Sequence, residues 1–211
     1  MQINNERVQT VLSLIDGPDV LHVGCVGEGG ERFLLHSTLC ERLPQCQVWG
    51  VDVNASGVAE LCRRGFNVVE GDAESLDFDH KFDTIFAGEL IEHLSNPGRF
   101  LDSCRRALKP NGKLVLSTPN PFSVMYTTMY IKNFRRAFNR GHALWMCPQT
   151  LGQISNRSGY TLAEITFVDN ICPEHVTSKW SKTFAAIWKV VRPFLPHRFR
   201  DTIVAVLRSA K

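Results

Sequence analysis

A chain of 211 residues with a formal net charge of +3, 44% hydrophobic and 21% charged, suits one soluble globular domain with a sizeable core. That charge does not by itself imply nucleic-acid binding, no run of about 18 apolar residues marks a transmembrane helix, and the polar start carries no signal peptide. Seven scattered cysteines without a CxxC pair argue against a disulfide framework or a zinc knuckle, so a reduced, cytoplasmic setting is expected.

Residues 4–15 predict a helix with Val8, Val11, Leu12 and Ile15 on one face. A strand over 20–23 follows, then a helix over 31–42 closed by Leu43 and Pro44. Next come a strand over 47–51, a helix over 56–64 stopped by Gly65, and strands over 67–69 and 82–87. A helix over 97–108 has Pro97 in its first turn and Lys109-Pro-Asn-Gly112 as its stop, before a fifth strand over 113–117. The rhythm then changes. An aromatic, basic insertion at 121–141 precedes a helix over 148–157, ended by Gly159, and a sixth strand over 160–168. A second insertion at 171–200 leads to a seventh strand over 201–208. The whole, residues 1–211, is expected to be a single α/β domain. It is doubly wound around a mostly parallel seven-stranded Rossmann-like sheet, with an antiparallel last strand and two helical insertions.

The first strand opens into Gly24-Cys-Val-Gly-Glu-Gly-Gly30, and Asp52 stands at the end of the second strand. Glycines let a ligand approach the backbone, and an acid at that strand end suits a ribose diol. This is the layout of a nucleotide-like cofactor site. A nicotinamide-dependent enzyme also uses glycines and an acid about 20 residues on, but the turn lacks GxGxxG spacing and the fifth strand runs into Thr118-Pro-Asn-Pro121.

Three further pieces follow in order: Gly71-Asp-Ala-Glu74, the segment 82–94 and the segment 108–119. Together they resemble the class I S-adenosylmethionine-dependent methyltransferases. The resemblance implies that Gly24, Cys25 and Gly27 face the methionine part of the cofactor. It places Asp52, which accepts both ribose hydroxyls, and Val53 in the same site. Asp72 takes the exocyclic amine of the adenine, the Ala73 amide serves a ring nitrogen, and Glu89 lies near the cofactor. His22 stands where this family usually carries an acid, and Val26 where a glycine is common. These departures leave room for an alternative, a binding or scaffold protein of this fold without turnover.

The cluster Glu89-Leu-Ile-Glu92-His93 follows the fourth strand. If a helical turn begins there, residues 89, 92 and 93 share a face. Two carboxylates and an imidazole suit Mg²⁺ or another divalent metal, with His142 as a fourth ligand. In the reading without metal, Glu89 stays near the cofactor and His93 is a general base or a structural contact. Glu-x-x-Glu-His with a later His resembles two metal-using groups, the ubiquinone-biosynthesis O-methyltransferases, whose branch the chain resembles, and the small-RNA 3′-terminal ribose methyltransferases. The resemblance implies catalytic roles for His93, Glu92 and His142 and O-methylation of a small-molecule, sugar or lipid-linked acceptor, with methylation of a small-RNA 3′-terminal ribose as an alternative. His22, His36, His80, His175 and His197 show no ligand spacing and read as structural or surface residues.

Trp180, Phe184, Ile187, Trp188 and Val191 fall on one helical stripe among Lys179, Lys182 and Lys189. Phe122, Met125, Tyr126, Met129, Tyr130, Phe134 and Phe138 mark the first insertion. The leading reading is a lid closing a substrate pocket. The other is a peripheral membrane contact that presents a lipid-linked substrate. The stripes are too contiguous for an RNA groove, so nucleic acid is not expected as a partner. The oligomeric state is left open.

Overall fold

The computed structural model describes residues 6–27, 33–132, 141–170, 188 and 190–210. Strand β1 (Asp19–Val23) lies at the centre, and its apolar residues Val20, Leu21 and Val23 are buried because both faces of the sheet are covered. It pairs in parallel with β2 (Gln47–Asp52) on one side and β4 (Phe82–Gly88) on the other. With β3 (Asn67–Glu70), β5 (Leu108–Pro119), β6 (Tyr160–Val168) and β7 (Thr202–Ser209), the sheet runs β3-β2-β1-β4-β5-β7-β6. Only β7 runs against the rest, inserted between β5 and β6. The order reverses between β1 and β4, and ligands of such sheets bind at carboxyl strand ends beside that switch.

Side chains alternate between the two faces. Leu21, Ile85, Leu114 and Ala205 enter one core with Phe100, Leu101 and Tyr160. Their neighbours Val20, Phe86, Val115 and Val204 enter the other with Val11 and Leu39. The helices are α1 (Glu6–Leu14), α2 (Leu34–Arg42), α3 (Ala55–Arg63), α4 (Pro97–Ala107), α5 (Val124–Lys132) and α6 (Pro148–Arg157). Asn54 caps α3 by accepting the Gly57 N–H at 2.9 Å, and Asn96 caps α4 by accepting the Arg99 N–H at 3.1 Å.

The fifth strand departs from the expectation at its start. The stretch Lys109-Pro-Asn-Gly112, read as a helix stop, is a bulge within β5: Phe82 pairs with Leu108, and Thr84 with Lys113. The Lys109 ammonium fixes it, reaching Asp19 at 2.6 Å and Asp83 at 2.9 Å.

Of the first insertion, α5 and Gly141 are described; of the second, Trp188 and 190–200. Phe134, Phe138, His175, Lys179, Trp180, Lys182, Phe184, Ile187 and Lys189 lie outside the described residues, as do 28–32 of the glycine turn. The described end of the second insertion is tied down at both ends. Arg192 pairs with Glu6 of α1 and with Asp169, and Arg200 also pairs with Glu6. Asn120, just past β5, donates to the carbonyls of Arg198 and Arg200 at 2.9 and 2.7 Å. Among the described residues, no helix is long and apolar enough to cross a membrane.

Candidate functional site

Three loops at the carboxyl ends of β1, β2 and β3 meet side by side. After β1 the chain turns through Gly24 and Gly27 at φ of +80° and +67°, a conformation that side chains disfavour. The Gly24 and Cys25 amides donate to the Val51 carbonyl at 2.8 and 3.2 Å. Asp52 anchors the turn: Oδ2 accepts the Val26 N–H and Oδ1 the Asn54 N–H, each at 2.9 Å. Val53 beside it is 69% exposed. The Gly71 amide donates to the Asp52 carbonyl at 3.0 Å, which brings the end of β3 alongside. There Asp72 accepts the Glu74 N–H at 2.8 Å and opens a 3₁₀ turn, Ala73–Ser75.

The two departures in the turn have structural explanations. Val26 is buried in a small cluster with Val58, Leu61 and Val68. His22 is buried against His36, their Nδ1 atoms 3.2 Å apart, and stacks on Phe86. Burial pushes both imidazoles down, His36 to about 4; His22 is lowered further by His36 and Arg7. The Cys25 thiol points into packing rather than into the turn. A Cβ at Gly50 would meet its Sγ at 2.8 Å, and burial, then Asp52, push the thiol up to about 12.

On the other side of the switch, β4 ends at Gly88, and Glu89 takes a left-handed φ of +52°. That conformation rules out a regular helical turn starting at 89; a 3₁₀ turn, Ile91–His93, follows instead. Glu89 therefore does not share a face with Glu92 and His93. Its carboxylate faces Arg7 of α1 at 3.8 Å. The ligand atoms of Glu92, His93 and His142 do converge, all within 4.8 Å of one another. The His142 loop is pinned to the 3₁₀ turn by its backbone. The Ala143 and Leu144 amides donate to the Glu92 carbonyl at 2.8 and 3.2 Å. His93 Nδ1 lies 3.0 Å from the Gly141 carbonyl, which can only accept, so Nδ1 carries a proton and Nε2 is the nitrogen left to serve as ligand atom in the neutral ring.

Glu92 is 1% exposed; Thr118 Oγ1 donates to its Oε2 at 3.0 Å, and Oε1 is buried without a hydrogen-bond partner among the described residues. Burial and then repulsion from Glu89 push its carboxyl up to about 8. The His93 and His142 rings meet edge to face at 4.8 Å, Trp145 stands 5.9 Å from His142, and Tyr126 of α5 is 5.2 Å from Trp145. Burial and the charges of Glu89, Asp201 and Glu92 raise the Tyr126 hydroxyl.

Several residues of this region were not marked by the sequence reading. Arg7 is buried, its Nη1 3.4 Å from Ser117 Oγ, and its Nε has no hydrogen-bond partner among the described residues. Its place beside Val8 and one turn before Val11, on the apolar face of α1, is the signal that could have found it. Glu74 accepts the Asn96 N–H at 2.7 Å and so joins the β3 loop to the α4 cap. Thr118 is the third.

The comparisons with known proteins bear on this arrangement. A methyltransferase-domain family matches residues 21–116. The chain is 32% identical over 164 residues to a ubiquinone biosynthesis O-methyltransferase of Coxiella burnetii, covering 72% of this chain and 67% of that one. To the protein of the same name from a Bradyrhizobium species it is 33% identical over 123 residues, 54% of this chain and 45% of that one. The chain thus spans less than half the length of that relative. Two solved structures share the fold. One is a methyltransferase from Thermotoga maritima, with TM-score 0.66 and 17% identity over 97% of this chain and 87% of that one. The other is from Archaeoglobus fulgidus, with TM-score 0.64 and 22% identity over 96% and 91%. The chain belongs to the class I S-adenosylmethionine-dependent methyltransferases.

Proposed function

We propose that this chain transfers the methyl group of S-adenosylmethionine to a hydroxyl oxygen of an acceptor bound over Glu92, His93 and His142. The observation that carries this reading is the convergence of those three side chains within 4.8 Å, across the switch point from the glycine turn. The relatives named as O-methyltransferases support the choice of oxygen.

The cofactor would lie along the three loops. Asp52 suits the ribose diol, Val53 and the Gly24–Gly27 backbone border it, and Asp72 with the Ala73 amide suits the adenine edge. Arg7 and Glu89 form a loose pair of opposite charges at 3.8 Å. The zwitterionic amino-acid tail of the cofactor would meet this pair from the open side, its carboxylate toward Arg7 and its ammonium toward Glu89.

One carboxylate and two imidazoles, with Glu92 Oε1 buried and free of hydrogen bonds among the described residues, fit a divalent cation, and the two imidazoles favour a softer ion than Mg²⁺. Bound there, the cation would lower the pKa of an acceptor hydroxyl. The chain supplies the rest. Tyr126 and Trp145, in edge-to-face contact, would flank the acceptor side, which supports the lid reading of α5. The acceptor oxygen, its proton lost to solvent, attacks the sulfonium methyl carbon. The C–S bond breaks and S-adenosylhomocysteine leaves. Alignment is the main demand, because the sulfonium is already reactive. Acceptors with vicinal oxygens, among them small molecules, sugars and lipid-linked precursors, are the class to screen.

The test is methyl transfer to a simple catechol, with S-adenosylhomocysteine binding followed by calorimetry. His142→Ala should lower transfer by roughly 100-fold and leave cofactor binding within about threefold. Unchanged transfer in that variant would overturn the assignment of the site.

A further inference from the structure

Thr118 stands near the end of β5, opposite Ile203 of β7, and is fully buried. A β-branched residue suits that strand position, and valine would fill it equally well. A buried hydroxyl is an expensive choice there unless it has a partner. Its partner is Glu92 Oε2, at 3.0 Å.

The rest of the 3₁₀ turn is already fixed. The Ala143 and Leu144 amides hold the main chain of Glu92, and the Gly141 carbonyl holds the ring of His93. The freedom left is the rotation of the Glu92 carboxyl, and the Thr118 hydroxyl removes it. Oε2 is spoken for, and Oε1 is the oxygen left buried and unpartnered among the described residues.

We propose that Thr118 is a positioning residue that occupies one oxygen of Glu92, so that the carboxylate offers the single oxygen Oε1 to a divalent cation shared with His93 and His142. This rests on the cation reading given above and adds to it a cause for the way Glu92 engages. A carboxylate that binds through one oxygen fills one coordination position instead of two. The difference is room for an acceptor that chelates through adjacent oxygens. Hydrogen-bond partners of metal ligands commonly govern affinity by roughly 10–100-fold, which sets the size of the expected effect.

The experiment is titration of the protein with Co²⁺, read by its visible absorption, in wild type, Thr118→Val, Thr118→Ser and Glu92→Gln. S-adenosylhomocysteine binding in each variant reports that the fold and the cofactor side are intact. Thr118→Val should weaken Co²⁺ binding by roughly tenfold or more and alter the absorption band, while Thr118→Ser, which keeps the hydroxyl, should stay within about threefold of wild type. If the valine variant does not fold, Thr118→Ala is read against the same serine control. Co²⁺ uptake lost in Glu92→Gln but unchanged in Thr118→Val would overturn the role of Thr118 alone. Absence of Co²⁺ uptake by the wild type would overturn the cation reading and this inference together.

Discussion

Along the carboxyl edge of the sheet, the part formed by β1, β2 and β3 and the part formed by β4 and β5 hold their polar groups by different means. On the first side, backbone amides do the holding. Val26 and Asn54 point their N–H groups at Asp52, and Glu74 points its own at Asp72. These acids stay at least partly solvated; the Asn54 and Glu74 contacts lie within tight local turns, and Val26 reaches Asp52 because the loops after neighbouring strands meet. On the second side, side chains from distant parts of the chain converge in a buried space, and the carboxyl of Glu92 is held against its ionised form. The comparison teaches that one site can combine a stable, preorganised shelf with a strained cluster whose cost is met by packing from elsewhere.

Breaking the shelf should have the largest effect. Asp52→Ala removes the acceptor of two amides and the group proposed to face the ribose diol. S-adenosylhomocysteine affinity measured by calorimetry should fall by roughly 1000-fold, since hydrogen bonds to a charged group are worth about 1.5–3 kcal/mol each. Variants of the acceptor cluster should leave that affinity nearly unchanged, and equal losses on both sides would erase the distinction.

The two sides should also answer pH with opposite sign. His36 belongs to the core beneath the shelf, with its folded pKa lowered from 6.5 to about 4. Its contribution is fully present above pH 6.5 and is lost as pH falls toward 4, where the unfolded chain takes up the proton first. Urea unfolding should show a loss on the order of 3 kcal/mol across that window. His22 shifts in the same direction. His36→Leu should flatten the curve, and a variant as pH-sensitive as the wild type would refute the assignment.

Glu92 should behave in reverse. Its folded pKa stands at about 8 against an ordinary 4.5, so its contribution is present below pH 4.5 and lost as pH rises through 8. In chelator, Glu92→Gln should therefore raise Tm at pH 9 and leave it unchanged near pH 4.5. A gain of about 1 kcal/mol corresponds to roughly 2–4 °C for a chain of this size. Equal Tm values at pH 9 would mean that the buried carboxyl carries no cost.

The contrast also explains what was legible in the sequence. The shelf is local: glycines that need positive φ, an acid at a strand end and the turn at Gly71 all leave marks in consecutive residues. The alternating strands and helices through α4 were readable for the same reason, as were the bounds of α6 and β6. The cluster is different. Glu92, His93 and His142 were visible as residue types, yet Glu89 was grouped with them because the spacing suited a helix that its left-handed backbone does not form. Arg7 and Thr118 act through partners 82 and 26 residues away, which no window of sequence displays. The β5 bulge likewise depends on Asp19 and Asp83, brought to Lys109 only by the folded sheet.

The place of β7 in the sheet has one more consequence. It lies between β5 and β6, yet it is made last of the three, so β6 leaves the ribosome before the strand it pairs with exists. During synthesis both edges of β6 stay open, and β5 lacks its second partner until the final strand slides in between them. The same insertion brings Arg200 to Glu6. A nascent chain stalled short of Thr202 thus presents unpaired strand edges to any holdase, and closure of the sheet is a late, nonlocal event.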